Sequence, residues 1–243
     1  MISSMRVVLF DLGGTLIYDK DPWPPFYHRA DIALIESLEA AGLHIESSTF
    51  FYGHRGLLSL YYDRRGDDTD EETTAVLLKQ LLKEHGSPNV SDDVIASALR
   101  AMYAVTQSNW FPEEDAIPTL QTLKERGFRL GLISNAADDE NTQTLIDKGS
   151  FRSHLELIIS SAAFGKRKPH PAIFQAALDY FHIEANQAVM IGDLMETDIL
   201  GAHQMGMKSI RITRRAIKTA SRIQVRPDAV VSALSEISPL LSE

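Results

Sequence analysis

A chain of 243 residues with 44% hydrophobic and 23% charged residues has the composition of an ordinary globular protein, long enough for a core domain plus an insertion. Its net charge of −9, with no long basic stripe, argues against a nucleic-acid partner, and the acidic balance obliges any bound phosphate to be held by local groups. The absence of cysteine excludes disulfides, thiolate metal sites and cysteine nucleophiles. No window approaches a membrane span and Met1 to Arg6 has no signal-peptide core, so the expectation is a cytoplasmic protein with no membrane partner.

The first predicted element is a strand, Val7-Val8-Leu9-Phe10, which delivers Asp11 to the sequence Leu12-Gly13-Gly14-Thr15. The glycine pair stops the apolar run where a strand would end and lets backbone approach a ligand. Prolines then bracket a segment of different texture: Pro22, Pro24 and Pro25 on one side, Pro112 and Pro118 on the other. Inside it, Ala30, Ala33, Leu34, Leu38 and Ala41 recur at helical spacing, as do Leu77, Leu78, Leu81 and Leu82. Thr69 and Glu72 have the form of a capping box, and Ser91 precedes a third apolar face through Val94, Ile95, Ala98, Leu99, Met102 and Val105. Residues 19–112 are therefore expected to form an all-helical insertion. Beyond it, short apolar runs (Leu130 to Ser134, Leu155 to Ser160, Ala188 to Ile191, Ser209 to Ile212, Ala229 to Val231) alternate with helical stretches such as Pro171 to Phe181 and Thr197 to Met205. That alternation predicts an α/β domain with a central parallel sheet.

Several predicted strands end in polar groups. Besides Asp11 there are Ser134 and Asn135 after Leu132-Ile133, and Asp193 after Ile191-Gly192, with Asp198 five residues on. Lys168 supplies a cation from the loop before Pro171. Carboxylates converging from separate strands repel one another unless a cation neutralises them, and oxygen ligands beside a phosphate suit Mg²⁺.

With these residues in this order, the sequence resembles the haloacid dehalogenase superfamily, a group dominated by Mg²⁺-dependent phosphatases. The resemblance covers nearly the whole chain. Its motifs correspond to Asp11-Leu12-Gly13-Gly14-Thr15, to Ser134, to Lys168 before a proline, and to Gly192-Asp193 with Asp198. It implies a Rossmann-like catalytic core, residues 1–18 and 113–243, with residues 19–112 as a mobile helical cap. It further implies an enzyme that hydrolyses a small phosphorylated metabolite, with Asp11 as nucleophile. Lys168, Ser134, Asn135 and the backbone at Gly14 would bind the phosphate. Asp11, Asp193 and the Gly13 carbonyl would bind Mg²⁺, with Asp198 in the outer shell.

One position departs from the pattern. Most phosphatases of the superfamily carry a second aspartate two residues after the nucleophile as general acid, and here that position is Gly13. The glycine favours substrates whose leaving group needs little protonation, and it keeps open a 2-haloacid dehalogenase-type hydrolase, or a low-turnover phosphate-binding regulatory module. Lys166, Arg167 and the insertion arginines Arg55, Arg64, Arg65 and Arg100 read more simply as solvated cations. Trp23 and Trp110 read as packing near the two linkers.

Overall fold

β1 (Val7–Phe10) has every residue buried, as expected of a central strand covered on both faces. The structure, a computed structural model, describes residues 2, 4–64, 69–215 and 224–241, with the side chains of Tyr62 and Arg64 outside that description. The chain divides into two compact units, Met1–Tyr18 with Phe111–Glu243, and Asp19–Trp110. Phe111 and Pro112 thus belong to the first unit. The two crossing segments, β2 (Ile17–Asp19) and β3 (Trp110–Pro112), pair as a two-stranded ribbon.

In the first unit, α5 (Ala116–Glu125) leads to β4 (Arg129–Ser134), α6 (Asp139–Lys148), β5 (Leu157–Ser160), the single turn α7 (Ser161–Phe164) and α8 (Pro171–Phe181). β6 (Ala188–Gly192), a π-helical turn at Met195–Ile199, α9 (Leu200–Met205), β7 (Lys208–Ile212) and β8 (Ala229–Val231) follow. The six strands pair in parallel in the order β5-β4-β1-β6-β7-β8. The chain runs outward from β1 to β5, then returns to β6 on the other side. The β1/β6 junction is therefore a topological switch point, where open α/β sheets bind ligands beyond their carboxyl ends. Phe10 pairs with both Leu132 and Ile191, so three strands end level with one another. One face of the sheet packs Val7, Leu9, Ala188 and Met190 against Ile173, Phe174, Ala177 and Phe181 of α8. Burial of each large side chain in such a layer contributes about 1.5–3 kcal/mol.

The second unit holds α1 (Pro24–Ala40), α2 (Ser47–Arg64), α3 (Thr74–Glu84) and α4 (Asp92–Gln107) around Leu34, Leu38, Phe50, Leu78, Leu82, Ala98 and Leu99. Ser91 caps α4 by accepting the Val94 N–H at 3.4 Å, with Asp92 and Asp93 in the first turn. The cap of α3 is not where the sequence put it. Thr73, not Thr69, accepts the Val76 N–H, because the helix begins at Thr74. The spacing rules also passed over α2. Its inward face alternates Phe50 and Tyr61 with a buried polar residue, His54, so no continuous apolar stripe marks it. Trp23 stacks on Tyr27 with centroids 5.3 Å apart and lies 5.4 Å from Trp110, the packing role expected of both.

Candidate active site

The Asp11 N–H donates to the Ile191 carbonyl at 2.9 Å, continuing the β1–β6 pairing and fixing the backbone that carries the carboxylate. After it, the Leu12 carbonyl accepts the N–H groups of Leu16 (2.8 Å) and Ile17 (3.0 Å). This turn brings Gly14 to φ +73°, a left-handed conformation that glycine adopts without strain. A Cβ at Gly14 would lie 2.6 Å from Asp193 Oδ2, so the glycine also makes room for the second carboxylate.

Lys168 is buried, and its ammonium donates to Asp11 Oδ1 at 2.7 Å and to the Ile133 carbonyl at 2.6 Å and forms an ion pair with Asp198 Oδ1 at 2.8 Å. Burial alone would lower its pKa, but the charges of Asp11 and Asp198 outweigh that and raise it, keeping the ammonium charged. Asp198 is likewise committed, since its Oδ2 accepts the Leu194 N–H at 3.1 Å. A side chain on Gly192 would collide with the Asp198 carboxyl group.

Asp193 is different. Its Oδ1 is buried with no hydrogen bond, as is Asp198 Oδ1, but it also lacks the ion pair that Asp198 has; Asp11, Asp193 and Asp198 each offer an oxygen within 4.8 Å of the others. Burial, then the neighbouring Asp11 and Asp198, push the Asp193 pKa up to about 8. Burial also raises Asp11, to about 6, with Lys168 opposing and Asp198 adding to the shift. One lysine thus faces three carboxylates, and the cluster is short of positive charge. A hard cation bound by oxygen fits this donor set: Asp193 Oδ1 has neither a hydrogen bond nor an ion pair, whereas Asp198 Oδ1 has the Lys168 ion pair.

Metal-free protein is therefore expected to lose stability as pH rises. Asp11 and Asp193 keep protons in the folded state that they release near 3.8 when unfolded, so folding binds protons from about pH 4 to about pH 8 and weakens across that window. The melting temperature in chelator should fall by about 5 °C or more between pH 5 and pH 8. Were Mg²⁺ to bind these carboxylates, its stabilisation would grow over the same range, because binding would displace those protons. Scanning fluorimetry of wild type and Asp193→Asn checks this; a Mg²⁺ shift independent of pH in wild type would contradict it.

The remaining predicted residues divide. Ser134 is buried at the carboxyl end of β4. Two assignments need correction. The Gly14 N–H is not open to a phosphate, because the turn geometry directs it to the Ile17 carbonyl at 2.8 Å. Asn135 does not turn its side chain to a ligand: its Oδ1 accepts the Lys168 N–H at 2.7 Å and its Nδ2 donates to the Lys168 carbonyl at 2.9 Å. It grips the backbone that carries the lysine. The hydrogen bonds of the first turn use the carbonyls of Leu12 and Ile17 and leave that of Gly13 out.

Arg167, read from sequence as solvated, is buried. Lys166 is half-buried. Arg211, which no sequence signal marked, donates from Nε to the Asp193 carbonyl at 3.1 Å, from the position on β7 paired with Gly192. Arg65 and the Arg64 side chain lie outside the described residues.

A parallel sheet with two carboxylates and a buried lysine at its switch point defines a class, and comparison agrees with it. Residues 59–212 match the haloacid dehalogenase-like hydrolase family. The chain belongs to that family and is a hydrolase. It is 32% identical over 161 residues to the glyceraldehyde 3-phosphate phosphatase of Methanopyrus kandleri, covering 60% of this chain and 69% of that one. It is 26% identical to the ribulose-1,5-bisphosphate 5-phosphatase of Halopiger xanaduensis, over 97% of this chain and 98% of that one. A solved 2-haloacid dehalogenase from Pseudomonas syringae pv. Tomato DC3000 has a TM-score of 0.68 at 23% identity, covering 97% of each chain, which shows a shared fold. Among the described residues no helix is long and apolar enough to cross a membrane.

Proposed function

We propose that this enzyme is a Mg²⁺-dependent phosphatase of small phosphorylated metabolites that works through a phosphorylated Asp11. The observation that carries the reading is the buried, unpartnered Asp193 oxygen beside Asp11 and Lys168. A dehalogenase, which displaces halide from carbon, has no use for a cation at that oxygen. The phosphatase names of both relatives support the same choice. Residues 1–18 and 111–243 would be the catalytic core and residues 19–110 the cap.

Asp11, Asp193 and the Gly13 carbonyl would hold the Mg²⁺. When bound, it supplies charge neutralisation for the phosphoryl oxygens. The Asp11 oxygen not held by Lys168 attacks phosphorus, the bond from phosphorus to the ester oxygen breaks, an aspartyl phosphate forms, and the departing oxygen takes its proton from solvent, to which the hydrolytic water later returns one. As negative charge passes from the Asp11 carboxylate to the phosphoryl group, the Lys168 N–H that donates to Asp11 Oδ1 can turn its hydrogen bond to a phosphoryl oxygen, the ammonium keeping its proton. Ser134 donates to the same group. Asp198 keeps the ammonium in place and Asn135 fixes the loop beneath it. Water then attacks phosphorus, phosphate leaves and the Asp11 carboxylate is restored.

Phosphate release from a panel of phosphate esters and acyl phosphates should require Mg²⁺ and stop with chelator. Halide release from 2-haloacids that survives chelation would overturn the reading; so would binding of phosphate analogues with no turnover above the Asp11→Asn background. Gly13 donates no proton, so the leaving group departs unassisted from that side. Gly13→Asp should raise alkyl phosphate turnover by about 10²-fold or more and aryl phosphate turnover less, because aryl leaving groups need little protonation. Equal gains would place the missing acid elsewhere.

A further inference from the structure

β6 ends at Gly192, and the two residues after it, Asp193 and Leu194, cross from the sheet to the helical turn at Met195–Ile199. The peptide that joins them is held at both of its polar atoms, and by side chains. Its carbonyl, on Asp193, accepts from Arg211 Nε at 3.1 Å, and its N–H, on Leu194, donates to Asp198 Oδ2 at 3.1 Å. Asp198 is in turn paired with Lys168. A chain of contacts therefore runs from Lys168 through Asp198 and this peptide to Arg211, and all of it lies in one compact unit.

The place of Arg211 follows from the sheet. It stands opposite Gly192 in the β6–β7 register, one residue short of Asp193, and it is half-buried between the buried Ile210 and Ile212. A peptide is planar, so holding its oxygen and its N–H together stops its rotation and fixes ψ of Asp193 with φ of Leu194. The direction of a side chain is set by the two backbone bonds at its Cα. For Asp193 the strand fixes the first of these bonds and the clamped peptide fixes the second. The carboxylate has little room to compensate for a shift, because Asp193 Oδ2 packs within 2.6 Å of where a Cβ on Gly14 would stand.

We propose that Arg211 is a positioning residue for Asp193: through the hydrogen bond from Nε it holds the peptide that aims the carboxylate, and so sets the affinity of the site for a divalent cation. This rests on the metal-dependent reading above and extends it to a residue outside the sequence motifs. The role belongs to the N–H and not to the charge.

Two variants separate these. In Arg211→Gln the side-chain nitrogen stands as many bonds from Cα as the arginine Nε, so the donor is kept and the charge is lost. Arg211→Met places a methyl group there and loses both. Mg²⁺ binding to the full chain is measured by calorimetry without substrate, and exchange of the Leu194 amide hydrogen by NMR in chelator. Arg211→Met should bind Mg²⁺ about 10- to 100-fold more weakly than wild type, the usual cost of losing a group that orients a ligand. Its Leu194 amide should exchange about 10-fold faster, with the amides of β1 and β4 unchanged. Arg211→Gln should stay within about threefold of wild type in both measurements. Equal losses of Mg²⁺ affinity in both variants would assign the effect to charge, and an unaltered affinity in Arg211→Met would remove Arg211 from the site. Faster exchange throughout the sheet would make it a general brace. Each of these overturns the proposal.

If wild type itself binds no Mg²⁺, the metal-dependent reading fails separately. The positioning of Asp193 is then judged from exchange in chelator alone: acceleration confined to Leu194 in Arg211→Met and absent in Arg211→Gln supports it, and any other pattern overturns it.

Discussion

Lys168→Met is expected to destabilise the protein by about 3–5 kcal/mol at pH 8 and to lower kcat by about 10³-fold. The substitution keeps the volume of the stem and removes the ammonium: the buried Asp11 Oδ1 and the Ile133 carbonyl lose their donor, and the buried Asp198 its ionic partner. Breaking a buried pair costs more than the pair contributed, because the surviving charges cannot be solvated. The loss should shrink toward pH 5. Burial and the mutual repulsion of Asp11, Asp193 and Asp198 already favour protonated carboxyls, and without the lysine this preference strengthens. Urea unfolding at both pH values checks the sign. A variant as stable as wild type at pH 8 would mean that the cluster is not held together by the lysine.

Asp11→Asn should do the opposite to stability while doing more damage to turnover. The amide oxygen can still accept the Lys168 proton, and one of three crowded negative charges disappears. In chelator at pH 8 the variant should melt no lower than wild type. Turnover should fall by about 10⁴-fold or more, to the background left by binding alone. Acid quench during turnover should trap a phosphoryl group on the Asp11 peptide of wild type and none on the variant. Appreciable phosphate release by Asp11→Asn after repurification would point to direct attack by water. The two substitutions are thus expected to separate the proposed roles, with Lys168→Met affecting stability and turnover alike and Asp11→Asn affecting turnover only.

Much of this site was legible in the chain because parallel strands place successive strand-end residues at one edge. Val7 to Phe10 needed only an apolar run and a glycine stop to be read as a strand, and the same rule brought Ser134 and Asp193 to the site. Local chemistry also marked α4 through Ser91 and its two acidic neighbours. Where a buried face is completed by a polar pair the pattern fails, as on α2, whose partner Asp31 lies 23 residues from His54.

The sequence by itself determined the class of the fold, the order of its motifs and the identity of the charged residues, because strand periodicity and stop signals are local. It could not determine what each polar atom does, because a hydrogen-bond donor has one direction and its partner is set by tertiary contact. The structure alone shows that the Gly14 N–H is spent on Ile17, that both ends of the Asn135 amide grip Lys168, and that Asp198 is paired with the lysine while the buried Asp193 Oδ1 has no partner of either kind.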